Sequence, residues 1–134
     1  MKKLIALASL ALLGCEPWCS RPVFQPSGEQ SIRLEQVDRT AAAYRDSILE
    51  GSDGEGPILK LFDAVQAFRE AAPKSREAET FLAEHLAGLI RGFSSAFPTA
   101  QRREAAVQRA LRDYRRHVLP RSKDAEKYLR SVRQ

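Results

Sequence analysis

The chain has 134 residues, of which 43% are hydrophobic and 29% charged. That composition folds, which excludes wholesale disorder. No apolar run approaches the ~20 residues of a membrane-spanning helix, and two cysteines cannot build a disulfide-dense scaffold or a four-cysteine zinc site. The formal net charge of +5 is unevenly placed: residues 15–100 carry 9 basic and 13 acidic side chains, residues 101–134 carry 11 basic and 4 acidic.

The N-terminus reads MKKLIALASLALLGC. Lys2 and Lys3 form a positive n-region, and residues 4–13 form an apolar stretch broken only by Ser9, in the order and length of a secretory signal. Leu12-Leu13-Gly14-Cys15 then resembles the lipobox of bacterial lipoproteins: an aliphatic residue, a variable position, a small residue and Cys. The resemblance implies cleavage before Cys15, a diacylglycerol on its thiol, palmitate or a similar acyl group on its new amine, and anchoring in the cell envelope. Two or more acyl chains at ~0.8 kcal/mol per buried methylene make such an anchor effectively permanent. In Gram-negative members, Asp after the cysteine retains the protein in the inner membrane. Glu16 stands here, so the resemblance implies the outer membrane, facing the periplasm.

Residues 15–26 read as a tether. Pro17, Pro22 and Pro26 each remove a backbone donor and extend the residue before them. In polyproline II geometry a dozen residues reach roughly 35–40 Å. Trp18 is placed to meet headgroups or to pack on the domain. Cys19 has no partner in the chain once Cys15 is a thioether, which leaves a possible free thiol or an interchain disulfide.

Residues 27–134 predict an all-α domain. Ser27 and Gln30 form a capping box, followed by a stripe of Leu34, Val37, Ala41, Tyr44 and Ile48. Gly51 ends this helix and a glycine-rich loop follows. Pro57 opens a second helix with Ile58, Leu61 or Phe62, Val65, Phe68 and Ala72 on its apolar side, closed by Pro73. A third starts near Ser75 with Phe81, Leu82, Leu86, Leu89, Phe93 and Phe97, and ends at Pro98. Thr99 caps a fourth with Val107, Ala110, Leu111, Tyr114 and Val118, which stops at Pro120. Ser122 caps a short last helix bearing Tyr128, Leu129 and Val132. Short connections between amphipathic helices predict an antiparallel up-down bundle of about four helices plus a short C-terminal one.

Few residue types carry chemistry. His85 borders the third stripe and is expected to be a partly buried, hydrogen-bonded histidine. Gly88 and Gly92 form a smooth strip that another helix can approach. Asp113 and His117 share a face, but two ligands are too few for zinc. Bis-His haem is a remote option. No nucleophile elbow, phosphate loop or metalloprotease motif occurs, so the chain does not read as an enzyme, and no metal or cofactor is expected. Ser94 and Ser95 read as a frayed helix end.

Charge is the remaining signal. At ~100° per residue, Arg102, Arg109, Arg112 and Arg116 cluster on one side of the fourth helix, opposite its apolar stripe. Arg121, Lys123, Lys127, Arg130 and Arg133 extend this basic end. Such a face can meet lipopolysaccharide phosphate, an anionic lipid headgroup or an acidic protein. It can equally be a solvated face paired with the acidic helices before it. An exported protein without aromatics among its arginines is a poor nucleic-acid binder. The leading expectation is a lipid-anchored envelope protein whose bundle is a non-catalytic interaction module for another envelope protein. The alternatives are an anionic envelope ligand and, remotely, an enzyme or cofactor carrier. Oligomeric state is open.

Overall fold

The computed structural model describes residues 24–118 and 123–132. They form five helices: α1 (Glu29–Leu49), α2 (Glu55–Ala71), α3 (Arg76–Arg91), α4 (Ala100–Asp113) and α5 (Lys123–Ser131). A 3₁₀ turn (Gly92–Ser95) extends α3, and a π turn (Tyr114–Val118) extends α4. Among the described residues there is no strand, and the expected all-α bundle is present. The expected signal peptide, Cys15, Cys19 and the junction at Pro120 and Ser122 lie outside the described residues.

The helix punctuation has local causes. Ser75 accepts from the backbone N–H of Ala78 at 3.1 Å, and Thr99 accepts from that of Arg102 at 3.1 Å. Each such cap is worth ~1 kcal/mol. The C-terminus of α1 closes as a Schellman motif: Ser52 N–H donates to the Ser47 carbonyl and Gly51 N–H to that of Ile48, both at 3.0 Å. Gly51 sits at φ 88°, a conformation that costs a side-chain-bearing residue ~1–2 kcal/mol. Ala72 is extended (φ −96°, ψ 153°) because Pro73 follows.

Three boundaries differ from expectation. The N-cap of α1 is Gly28, not Ser27, and makes no side-chain cap bond. The capping box is half made: Gln30 Oε1 accepts from the Ser27 backbone N–H at 3.2 Å, while Gln30 Nε2 donates to the Ala71 carbonyl at 3.1 Å and so closes α2 instead. Pro57 is the third residue of α2, still within the first turn whose N–H groups lack helical partners. Finally, the chain before α1 joins the bundle sooner than a tether ending at residue 26 implies. Phe24 is partly buried, its ring 6.1 Å from Phe68 and 5.3 Å from Phe81 in edge-on contacts.

The core is apolar apart from two tyrosine hydroxyls. Val37, Ala41 and Tyr44 of α1 meet Ile58, Leu61, Val65 and Phe68 of α2; Leu82, Leu86 and Ile90 of α3 join them with Phe93, Val107, Leu111, Tyr114 and Leu129. Leu61, fully buried, and not Phe62, 36% exposed, fills the position that the α2 stripe left open. On α3 the buried face is wider than one stripe: Ala83, Ala87 and Ile90 are inside, whereas Phe81 and Leu89 are only partly covered. The cause lies in the packing order. α1 pairs most closely with α2, but α3 runs closest to α5, so α3 is enclosed on two sides.

Candidate interaction surface

One side of α4 faces the C-terminal end of α1, and two arginines on it are committed to the fold. Arg102 Nη2 donates to the Leu49 carbonyl at 3.2 Å, and Arg109 Nη1 to the Ser52 carbonyl at 3.1 Å. The Leu49 oxygen is one that the Schellman bonds leave over at the negative end of the α1 dipole, and the Ser52 oxygen belongs to the turn that follows it. Gly54, at φ 71°, lies beneath the same guanidinium: a Cβ there would stand 3.2 Å from Tyr44 Cε1 and 3.5 Å from Arg109 Nη2.

Behind this clamp, Tyr44 Oη donates to Asp113 Oδ2 at 2.5 Å. Arg109 Nε lies 3.8 Å from the same oxygen, and Arg112 Nε lies 4.0 Å from Oδ1. Burial, then the carboxylate of Asp113, pushes the Tyr44 phenol far above its ordinary range. Burial alone does the same to Tyr114, whose hydroxyl is enclosed without a hydrogen-bond partner. Both phenols stay neutral at any physiological pH and suit structure, not proton transfer.

Beyond the clamp the arginines turn outward. The side chain of Arg112 is 72% exposed, and Arg116 is exposed on the π turn. Arg115 Nε binds Glu126 Oε1 at 2.9 Å, and Arg130 Nε lies 3.9 Å from Glu126 Oε2, so two arginines share one carboxylate across the α4–α5 junction. Residues three and four apart are surface neighbours, which makes Arg112, Arg115 and Arg116 one patch and joins Arg130 to it through Glu126. Among the described residues, every ion pair made by an arginine of α4 or the π turn is to Asp113 or Glu126. Neither carboxylate lies on α1–α3.

The stripe expected from sequence is therefore divided. Arg102 and Arg109 serve the fold; Arg112 and Arg116 remain outside and are joined by Arg115 and Arg130. Arg115 was missed because an ideal helix turns it away from Arg102 and Arg109. What makes it visible is its place in Arg115-Arg116-His117, a polar run held between buried Tyr114 and Val118. The π turn, with its i→i+5 spacing, also shifts the facing of the residues within it.

The other candidates have structural partners or open surroundings. His85 Nε2 lies 2.6 Å from Asp38 Oδ1 and stacks on Phe81, with centroids 5.8 Å apart, as a partly buried histidine binding α3 to α1. Gly88 and Gly92 are not a close-packing strip: a Cβ at either would meet nothing within 4 Å. Asp113, considered with His117 for a metal, is occupied by Tyr44 and the arginines. Among the described residues no three His, Cys, Asp or Glu side chains are grouped to hold a metal ion, and no helix is long and apolar enough to cross a membrane. Between the end of α2 and the start of α3 lies an open hollow of about 220 Å³ over Phe68 and Leu82, beside the Arg69–Glu79 pair at 3.0 Å.

Comparison with protein-family models, curated proteins and solved structures finds no match to this chain.

Proposed function

We propose that the chain is a lipid-anchored cell-envelope protein whose helical bundle is a non-catalytic interaction module. The anchor rests on the order of the first fifteen residues, ending in the lipobox-like Leu12-Leu13-Gly14-Cys15. The module reading rests on one observation above all: among the described residues, the ion pairs made by arginines of α4 and the π turn are to Asp113 and Glu126, within the α4–α5 half. The helices α1–α3 carry a small net negative charge and the C-terminal end a net positive one. Such a charge distribution steers and orients a charged partner more than it strengthens the fold. The interlocks that use polar side chains inside (Tyr44 with Asp113, Arg102 and Arg109 with the α1 carbonyls, Gln30 with α2) keep that surface in a fixed shape. Phe24 is seated on the bundle nine residues after Cys15, and nine residues span at most ~30 Å even fully extended. By the lipobox resemblance the bundle works in the periplasm, close beneath the outer membrane.

The test is crosslinking of the full-length lipoprotein in intact cells, with wild type beside a variant carrying Glu35→Lys and Glu70→Lys at exposed carboxylates of α1 and α2. A discrete crosslinked species formed by wild type and lost in the charge-reversed variant is expected. The same species at the same yield from both would remove the acidic helices from the interaction. No specific species from either would contradict the module reading.

A further inference from the structure

We infer that the outward basic ridge formed by Arg112, Arg115, Arg116 and Arg130 lies on the phosphate headgroups of anionic glycerophospholipid, in the bilayer that holds the anchor. The inference rests on the proposed anchor and assigns a second contact to the same membrane.

The argument starts from the charge count of the ridge. Four guanidinium groups face outward, and among the described side chains one partly buried carboxylate, Glu126, lies between them; Asp113 is turned inward to Tyr44, with Arg112 Nε 4.0 Å from its other oxygen. Glu126 is shared between two of the four, leaving unused donors on Arg115 and Arg130. Lys127 follows Glu126 and adds a further exposed cation. The planar guanidinium donates two parallel hydrogen bonds to phosphate, and arginine is less strongly hydrated than lysine, which lowers the cost of leaving bulk water. Among the described residues, the carboxylates that pair with these groups are Asp113 and Glu126, and neither lies on α1–α3.

Geometry supplies the second half. Phe24 is nine residues from Cys15, and nine residues span at most ~30 Å even fully extended, so the proposed anchor holds the bundle near the acyl chains. Tethering turns a weak contact into a local one of high effective concentration. Each arginine near an anionic surface is worth ~1 kcal/mol, and the attraction fades within ~8–10 Å at ordinary salt. A few arginines with donors to spare suffice to orient a bundle that is already held there, though not to recruit a free one.

The test uses the full-length protein without substitution. It is reconstituted into vesicles of phosphatidylcholine alone, or of phosphatidylcholine with phosphatidylglycerol, and treated with phenylglyoxal, which modifies arginine. Peptide mass spectrometry then reads the rate at each position. With phosphatidylglycerol at low salt, Arg112, Arg115, Arg116 and Arg130 should react about fivefold more slowly than in phosphatidylcholine; the difference should close at raised salt, and Arg39 on α1 should not change. Equal rates in the two vesicles would overturn the inference. So would protection seen in native membranes but not in pure-lipid vesicles, since that would assign the ridge to a protein. Flotation with phosphatidylcholine vesicles reads the anchor separately: a protein that floats there yet reacts at equal rates in the two vesicles would keep the anchor and remove the ridge contact, whereas one that fails to float would remove the anchor on which the inference rests.

Discussion

The hydroxyl of Tyr44 donates to the carboxylate of Asp113 across 69 positions of sequence, joining α1 to α4 at 2.5 Å. Tyr114, whose ring centroid is 5.9 Å from that of Tyr44, is equally buried but gives its hydroxyl to no partner. The two phenols should therefore respond oppositely to loss of oxygen. Tyr44→Phe removes a hydrogen bond to a charged group and leaves a half-buried carboxylate short of one donor, an expected loss of about 1–3 kcal/mol. Tyr114→Phe removes an unpaired buried hydroxyl and should be neutral or slightly stabilising. Urea unfolding of both variants checks the contrast.

The same phenols set an alkaline limit. Both have pKa values raised in the folded state, by burial first and, for Tyr44, by the Asp113 carboxylate next. An unfolded tyrosine releases its proton near pH 10, so above that pH the folded state binds more protons than the unfolded one. Stability then falls as pH rises. The stabilisation is fully present below about pH 10, and its loss approaches about 3 kcal/mol per pH unit for the two groups together. Denaturant midpoints between neutrality and strong alkali should show this slope, reduced by about half in Tyr44→Phe.

The clamp on the α1 terminus makes a sharper demand on one glycine. Gly54→Ala forces a left-handed backbone on alanine and sets its Cβ against the Tyr44 ring; together these should cost about 1–3 kcal/mol. Arg109→Gln loses the bond to the Ser52 carbonyl and should cost about 1 kcal/mol. Gly88→Ala, where the added methyl meets nothing within 4 Å, should gain up to ~1 kcal/mol from helix propensity. Thermal unfolding of the three variants separates them.

Much of the architecture was legible because it is written locally. Ser75 and Thr99 cap where expected, Gly51 and Pro73 stop their helices, and the stripes of α2 and α4 point inward. What was not legible depends on partners distant in sequence. Leu61 over Phe62, Ile90 over Leu89 and the double enclosure of α3 follow from which helices become neighbours. The basic face shows the same limit. Periodicity aligned Arg102 and Arg109 with Arg112 and Arg116, but only the α1 terminus, some fifty positions away, decides that the first two cap carbonyls. Phe24 was assigned to the tether because three prolines surround it, and no local rule reveals that Phe68 and Phe81 form its seat.

That seat and the α3 face give a graded series. Phe68 is 1% exposed, so Phe68→Ala should cost about 3–5 kcal/mol. Leu89 is only partly covered, so Leu89→Ala should cost clearly less, about 1 kcal/mol. Phe24→Ala should fall between them, and should also speed proteolysis of the segment before α1 by freeing it from the bundle. Chemical denaturation with limited proteolysis reads both effects.

The account stands or falls on the anchor, and metabolic labelling with radioactive palmitate tests that most directly. Wild type should incorporate label and sediment with membranes, while Cys15→Ser should incorporate none and leave the membrane fraction or remain unprocessed. Equal labelling of both, or no labelling of wild type, would contradict the reading of this chain as a lipoprotein.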